Sequence, residues 1–99
     1  MSNLNKFNDE LFLENVSLNE IAKKYGTPLY VYSKKSITEN FYKYKNSFNN
    51  NYKNIEDILI CYSVKSNSNI AILNLLHDLG SGFDIVSGGE LLRTIKAAG

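Results

Sequence analysis

The chain has 99 residues, of which 43% are apolar and 21% charged, and its formal net charge is +1. That length suits one small domain or a piece of a larger protein, with enough apolar residues for a core. The near balance of charge argues against nucleic acid or an anionic membrane as partner, and no run is long and apolar enough to span a bilayer.

Residues 1–9 are polar and Asn-rich, read as a mobile lead-in and not as a secretory signal. A reduced, cytoplasmic setting is the resulting expectation. Ser17-Leu18-Asn19-Glu20 is a capping-box pattern and predicts a helix over residues 18–25. Gly26 and Pro28 end it. Leu29-Tyr30-Val31-Tyr32 reads as a short strand of aromatic and β-branched residues. Ser33 can cap a second helix over residues 34–48, with Ile37, Phe41, Tyr44 and Phe48 on one face. Asn49-Asn50-Asn51 breaks it.

An apolar run predicts a buried strand over residues 57–64. A helix follows over residues 69–79, with Ile72, Leu73, Leu75, Leu76 and Leu79 on its apolar side. Gly80 and Gly82 close it. Phe83-Asp84-Ile85-Val86 is a second short strand, and Ser87-Gly88-Gly89-Glu90 opens a last helix that carries Leu91, Leu92 and Ile95. From residue 34 the order is helix, strand, helix, strand, helix. That order predicts an α/β fold of parallel strands with covering helices. Two strands do not close a sheet, and a (β/α)8 barrel takes roughly 250 residues. The chain is therefore read as the front end of a longer protein.

The chemistry concentrates in Cys61-Tyr62-Ser63-Val64-Lys65-Ser66-Asn67-Ser68-Asn69. A lysine at the carboxyl end of a strand lies where α/β folds carry their chemistry. Alternation would place Leu59, Cys61, Ser63 and Lys65 on one face. A buried amine there could form a Schiff base with a carbonyl compound; the plainer alternative is a lysine that closes the strand and reaches solvent. Asp84 interrupts the next strand, and a buried carboxylate needs a partner. Lys65 is one candidate; nearby backbone amides are the other.

Ser87-Gly88-Gly89-Glu90 is either a capping box or a glycine-rich helix start open to phosphate, and capping is the preferred reading. The single cysteine, Cys61, cannot form an intrachain disulfide and reads as a small core residue. With no His or Cys cluster around it, no metal site is expected. His77 reads as a surface residue. Tyr42, Tyr44 and Tyr52 fit a solvated amphipathic helix better than a nucleic-acid platform.

Three blocks stand in order: Tyr25-Gly26-Thr27-Pro28-Leu29-Tyr30-Val31-Tyr32-Ser33, the block around Lys65, and Gly80-Ser81-Gly82-Phe83-Asp84-Ile85-Val86-Ser87-Gly88-Gly89-Glu90-Leu91. Together, from about Leu18 onward, they resemble the N-terminal part of diaminopimelate decarboxylases. These are pyridoxal-phosphate enzymes of the alanine-racemase-like barrel class. The family usually has alanine at the positions of Ser63 and Ser66, and both serines keep a small residue there.

The resemblance implies that residues 34–99 are the first βα units of a pyridoxal-phosphate-binding (β/α)8 TIM barrel. Residues 1–33 would be a lead-in whose strand joins a separate β domain. Lys65 matches the lysine that carries pyridoxal phosphate as a Schiff base, and Asp84 matches an aspartate near it on the next barrel strand. The implied reaction is decarboxylation of meso-diaminopimelate to L-lysine and carbon dioxide by the full-length protein, as a homodimer. Residues for the phosphate and the substrate would lie downstream, so these 99 residues alone are expected to be inactive. Sister decarboxylases of arginine, ornithine or carboxynorspermidine are alternatives, as is a non-catalytic pyridoxal-phosphate carrier.

Overall fold

The computed structural model describes residues 3–48 and 58–99. Two compact units divide the chain, Met1–Glu39 and Asn40–Gly99.

The first unit opens on a three-stranded antiparallel sheet: β1 (Leu4–Phe7), β2 (Glu10–Leu13) and β3 (Val16–Ser17), in that order. The turn between β1 and β2 has two residues, Asn8 at φ 51° and Asp9 at φ 61°. Two left-handed residues are what a tight hairpin of this length requires, and Asn and Asp tolerate them. Asn3 is buried, and its side-chain amide donates to Ser36 Oγ at 2.7 Å and Glu39 Oε1 at 3.3 Å. The mobile lead-in expected over residues 1–9 is therefore corrected from Asn3 onward: the segment is a hairpin.

Helix α1 (Leu18–Tyr25) begins as the capping box predicts, with the Glu20 N–H donating to Ser17 Oγ at 3.3 Å. The Ser17 hydroxyl in turn donates to the Glu10 carboxylate. Gly26, at φ 83°, ends α1 with its N–H on the Ala22 carbonyl at 2.8 Å. Residues 29–32, expected as a strand, form none here. All four are exposed, and a strand needs a neighbour to complete its ladder. Helix α2 (Lys34–Asn46) starts at Ser33, whose Oγ accepts from the Ser36 N–H at 3.0 Å while its hydroxyl donates to Glu14 Oε2 at 2.8 Å.

In the second unit, Phe41 of α2 is buried, whereas Tyr44 of the expected apolar face is exposed and meets Phe48 edge to face at 5.5 Å. The Asn49-Asn50-Asn51 break, Tyr52 and the start of the strand expected at residue 57 lie outside the described residues.

Strand β4 (Cys61–Ser63) is shorter than the apolar run that predicts it. It passes into a 3₁₀ turn, Val64–Ser66, then helix α3 (Ile70–Asp78), strand β5 (Gly82–Asp84) and helix α4 (Gly88–Ala98). β4 and β5 pair in parallel, as expected, with Cys61 opposite Gly82, Tyr62 opposite Phe83 and Ser63 opposite Asp84.

The end of α3 explains how the chain reaches β5. Gly80 adopts φ 92°, its N–H donates to the His77 carbonyl at 3.0 Å, and the Ser81 N–H donates to the Leu76 carbonyl at 3.0 Å. This pair of bonds is the Schellman arrangement, which needs a left-handed residue where glycine stands. Ser81 then turns its hydroxyl to the Ile60 carbonyl at 3.2 Å.

Val64, Leu73 and Ala97 form the core of this unit, with Tyr62, Ile70, Phe83 and Ile85 packed against them. The core thus joins one face of the two-stranded sheet to α3 and α4. Asn74 ties the helices together, its side-chain amide donating to the Ala97 carbonyl at 2.8 Å. The buried side of α4 is Thr94 and Ala97. Leu91, Leu92 and Ile95, read as its apolar face, are all exposed, because the small residues are the ones that let α4 approach α3.

Candidate functional site

The face of β4 and β5 turned away from the core carries the residues of interest. Residues paired in register share a face. Tyr62 and Phe83 therefore lie together on the core side, while Cys61 with Gly82 and Ser63 with Asp84 lie on the other. Gly82 permits a close approach there: a Cβ in its place would stand 2.8 Å from Cys61 Sγ. Cys61 itself is exposed, which corrects its reading as a core residue. The run is apolar, but the side chains it sends into the core are Tyr62 and Val64.

Lys65 sits in the middle of the 3₁₀ turn, not on the strand. The alternation from Leu59 to Lys65 therefore stops at Ser63. Val64, immediately before the lysine, is fully buried and anchors the turn in the core. The Asn67 N–H closes it on the Val64 carbonyl at 3.2 Å. The backbone is thus held on both sides of Lys65, while the lysine side chain is exposed. The buried amine considered from the sequence is not found.

Asp84 is the last residue of β5 and is exposed, so its carboxylate needs no buried partner. No ion pair joins it to Lys65 among the described residues, whose salt bridges are Lys6–Asp9 and Lys23–Glu20. What the fold does bring together is their positions: Asp84 ends one parallel strand, and Lys65 follows the end of its neighbour. The carboxyl ends of parallel strands are where α/β folds bind ligands.

The Ser87 motif is a capping box, with the Glu90 N–H donating to Ser87 Oγ at 3.1 Å and the Val86 N–H donating to Glu90 Oε1 at 3.1 Å. His77 is exposed. Among the described residues, no three His, Cys, Asp or Glu side chains are grouped to hold a metal, and no helix is long and apolar enough to cross a membrane.

Sequence reasoning missed how the segment after Lys65 is fixed. The Tyr62 hydroxyl donates to the Asn67 carbonyl at 2.9 Å. Asn67 Oδ1 accepts from the Asn69 N–H at 3.0 Å, and Asn69 Oδ1 accepts from the Ala71 N–H at 2.9 Å as the cap of α3. Two asparagines ahead of an apolar run were the available signal for the last of these.

A family model described as the pyridoxal-binding domain of pyridoxal-dependent decarboxylases matches residues 34–99. The chain belongs to this family. Among curated pyridoxal-dependent decarboxylases, diaminopimelate decarboxylase of Aquifex aeolicus is 52% identical over 88 residues, covering 89% of this chain and 19% of that protein. The Neisseria meningitidis serogroup B diaminopimelate decarboxylase is 47% identical over 89 residues, 90% of this chain and 20% of that protein. The crystal structure of the M. jannaschii diaminopimelate decarboxylase superposes with a TM-score of 0.88 at 34% identity, covering 96% of this chain and 22% of that one. The chain thus spans about a fifth of the length of the curated relatives it matches. Its α/β units are the opening part of the pyridoxal-phosphate-binding barrel of this decarboxylase family.

Pyridoxal phosphate is the cofactor that the family implies. The residues present fit the attachment end of that group. An aldehyde calls for a reachable primary amine on a fixed backbone, and the exposed Lys65 side chain on its pinned turn provides one.

Proposed function

We propose that the full-length protein decarboxylates meso-diaminopimelate to L-lysine and carbon dioxide, with Lys65 as the residue that carries pyridoxal phosphate and Asp84 beside it. The observation that carries this reading is an exposed lysine on a pinned turn at the carboxyl end of β4, in a chain 43–52% identical to diaminopimelate decarboxylases over most of its length.

Pyridoxal phosphate, when bound, supplies an aldehyde for an amine and a ring that accepts the electron pair left by a departing carboxylate. The chain's own part is positional. Lys65 would hold the group through its side-chain nitrogen, and that nitrogen would also be placed to take up or give back a proton at the reacting centre. The Asp84 carboxylate would contribute negative charge at the same carboxyl end of the paired strands. The turn holds Lys65 in place, which removes part of the orientational cost of bringing amine and aldehyde together.

The sister decarboxylases of arginine, ornithine and carboxynorspermidine remain a second reading of the same site, which the names of the relatives disfavour. A bare carrier barrel fits less well, because residues 1–33 form a lead-in that we assign to a separate β domain. That boundary is supported by the family match, which begins at residue 34. A homodimer in the cytoplasm belongs to the same proposal.

The test is to load the full-length protein with pyridoxal phosphate, reduce it with borohydride and map the modified peptide. Label on Lys65 is expected. Label on another lysine, with Lys65 free, would overturn the assignment. Lys65→Ala is expected to lower carbon dioxide release from diaminopimelate by about a thousandfold or more.

A further inference from the structure

We propose that Tyr62 is a positioning residue for Lys65, acting through the bond from its hydroxyl to the Asn67 carbonyl. The inference rests on the assignment of Lys65 as the attachment lysine, and it adds a residue from the core side of β4.

A single 3₁₀ turn is a weak device for holding a reactive side chain, because its hydrogen-bond geometry is poor and its runs are short. Here the turn closes on a bond from the Asn67 N–H to the Val64 carbonyl at 3.2 Å. The Tyr62 bond supplements it from the other side of the same residue. Asn67 is held at its N–H by the turn, at its carbonyl by the phenol at 2.9 Å, and at its side-chain oxygen by the Asn69 N–H at 3.0 Å.

Tyr62 is a suitable post for this. Its ring packs against the core of Val64, Leu73 and Ala97. A tyrosine side chain has only two torsions, so a packed ring leaves its hydroxyl little freedom. The bond spans five residues, and Lys65 lies within the span. The loop from strand to helix is thereby bracketed by one anchor in the core, Val64, and one rigid strut, Tyr62. The next residue, Ser68, is held from α4 by Arg93, whose guanidinium donates to its carbonyl at 3.4 Å. Loss of the phenol oxygen leaves the ring packing intact and releases the exit of the turn, so Lys65 samples more orientations before it meets an aldehyde.

The test compares full-length wild type with Tyr62→Phe, both stripped of cofactor. Attachment joins the Lys65 nitrogen to the aldehyde carbon and releases one water, and its rate is followed by the visible absorbance of the lysine-bound cofactor. The variant is expected to keep a melting temperature within a few degrees of wild type and still to be labelled at Lys65. It is expected to attach pyridoxal phosphate about tenfold more slowly, and peptides covering residues 62–70 are expected to exchange amide hydrogens faster in the cofactor-free protein. Unchanged attachment and unchanged exchange would overturn the proposal. So would a global fall in melting temperature with normal attachment per folded molecule, which would make the hydroxyl a stability element. Wild type labelled at a lysine other than Lys65 refutes the assignment beneath the proposal. Wild type labelled at Lys65 beside an indifferent Tyr62→Phe refutes the positioning role alone.

Discussion

Asp84 ends β5 opposite Ser63 with its side chain exposed and no ion pair among the described residues. A carboxylate in that setting contributes little to folding, since exposed substitutions usually change stability by about 0.5 kcal/mol or less. Asp84→Ala is therefore expected to leave the melting temperature of the full-length protein nearly unchanged. Cofactor affinity or turnover is expected to fall by about tenfold, equivalent to about 1.4 kcal/mol. A collapse in melting temperature with normal activity per folded molecule would show a purely structural residue. The sequence placed Asp84 on the strand beside the lysine strand, and it is there. Its burial was misjudged, because an apolar run does not reveal that the strand stops at the aspartate. The caps at Ser17, Ser33 and Ser87 were legible for the opposite reason: a cap is a contact within four residues. The Tyr62 bond was not, because it depends on a turn whose shape no short pattern specifies.

At the scale of the element, α4 shows how local signals and packing divide the work. Its start is set by Ser87, whose Oγ satisfies the Glu90 N–H that a helix N-terminus leaves without a partner, and by Glu90, whose carboxylate holds the Val86 N–H just ahead of the cap. Replacing an N-cap serine with alanine costs about 1 kcal/mol. Ser87→Ala is expected to raise amide exchange in the first turn of α4 about fivefold, the population change that about 1 kcal/mol produces. Native-state exchange on the full-length protein measures it, and an unaltered first turn would show that neighbouring contacts alone fix the helix. The hairpin of β1 and β2 is hard to read from the sequence because its signal is the turn chemistry of Asn8-Asp9, within a segment whose composition is mostly polar. The lysine turn was missed because the apolar run continues through Val64 while the ladder ends at Ser63. In both cases backbone geometry, not hydrophobicity, decides the element.

At the scale of the molecule, the order of helices and strands was readable, and the faces they present were not. Leu59, Leu92 and Ile95 are 68%, 70% and 59% exposed, and Leu91 is 46% exposed. Leu59 precedes β4 and the other three lie on α4, and the sequence pattern predicts burial for all four. Burying one such side chain is worth about 1.5–3 kcal/mol, so four together approach the margin of about 5–15 kcal/mol that holds an intact domain folded. The sheet of β4 and β5 also has two strands, fewer than independent stability in water usually needs unless helices cover it. Here α3 and α4 cover one face only, and the strand edges are open to pairing with other chains. Residues 1–99 expressed alone are therefore expected to be aggregated, molten or partly unfolded, and inactive on diaminopimelate with added pyridoxal phosphate. Amide dispersion by NMR and a thermal melt read the outcome directly, beside a carbon dioxide assay. A sharply dispersed, monomeric spectrum with a cooperative melt would show that the two units bury enough by themselves, and that the exposed leucines and isoleucine are tolerated surface.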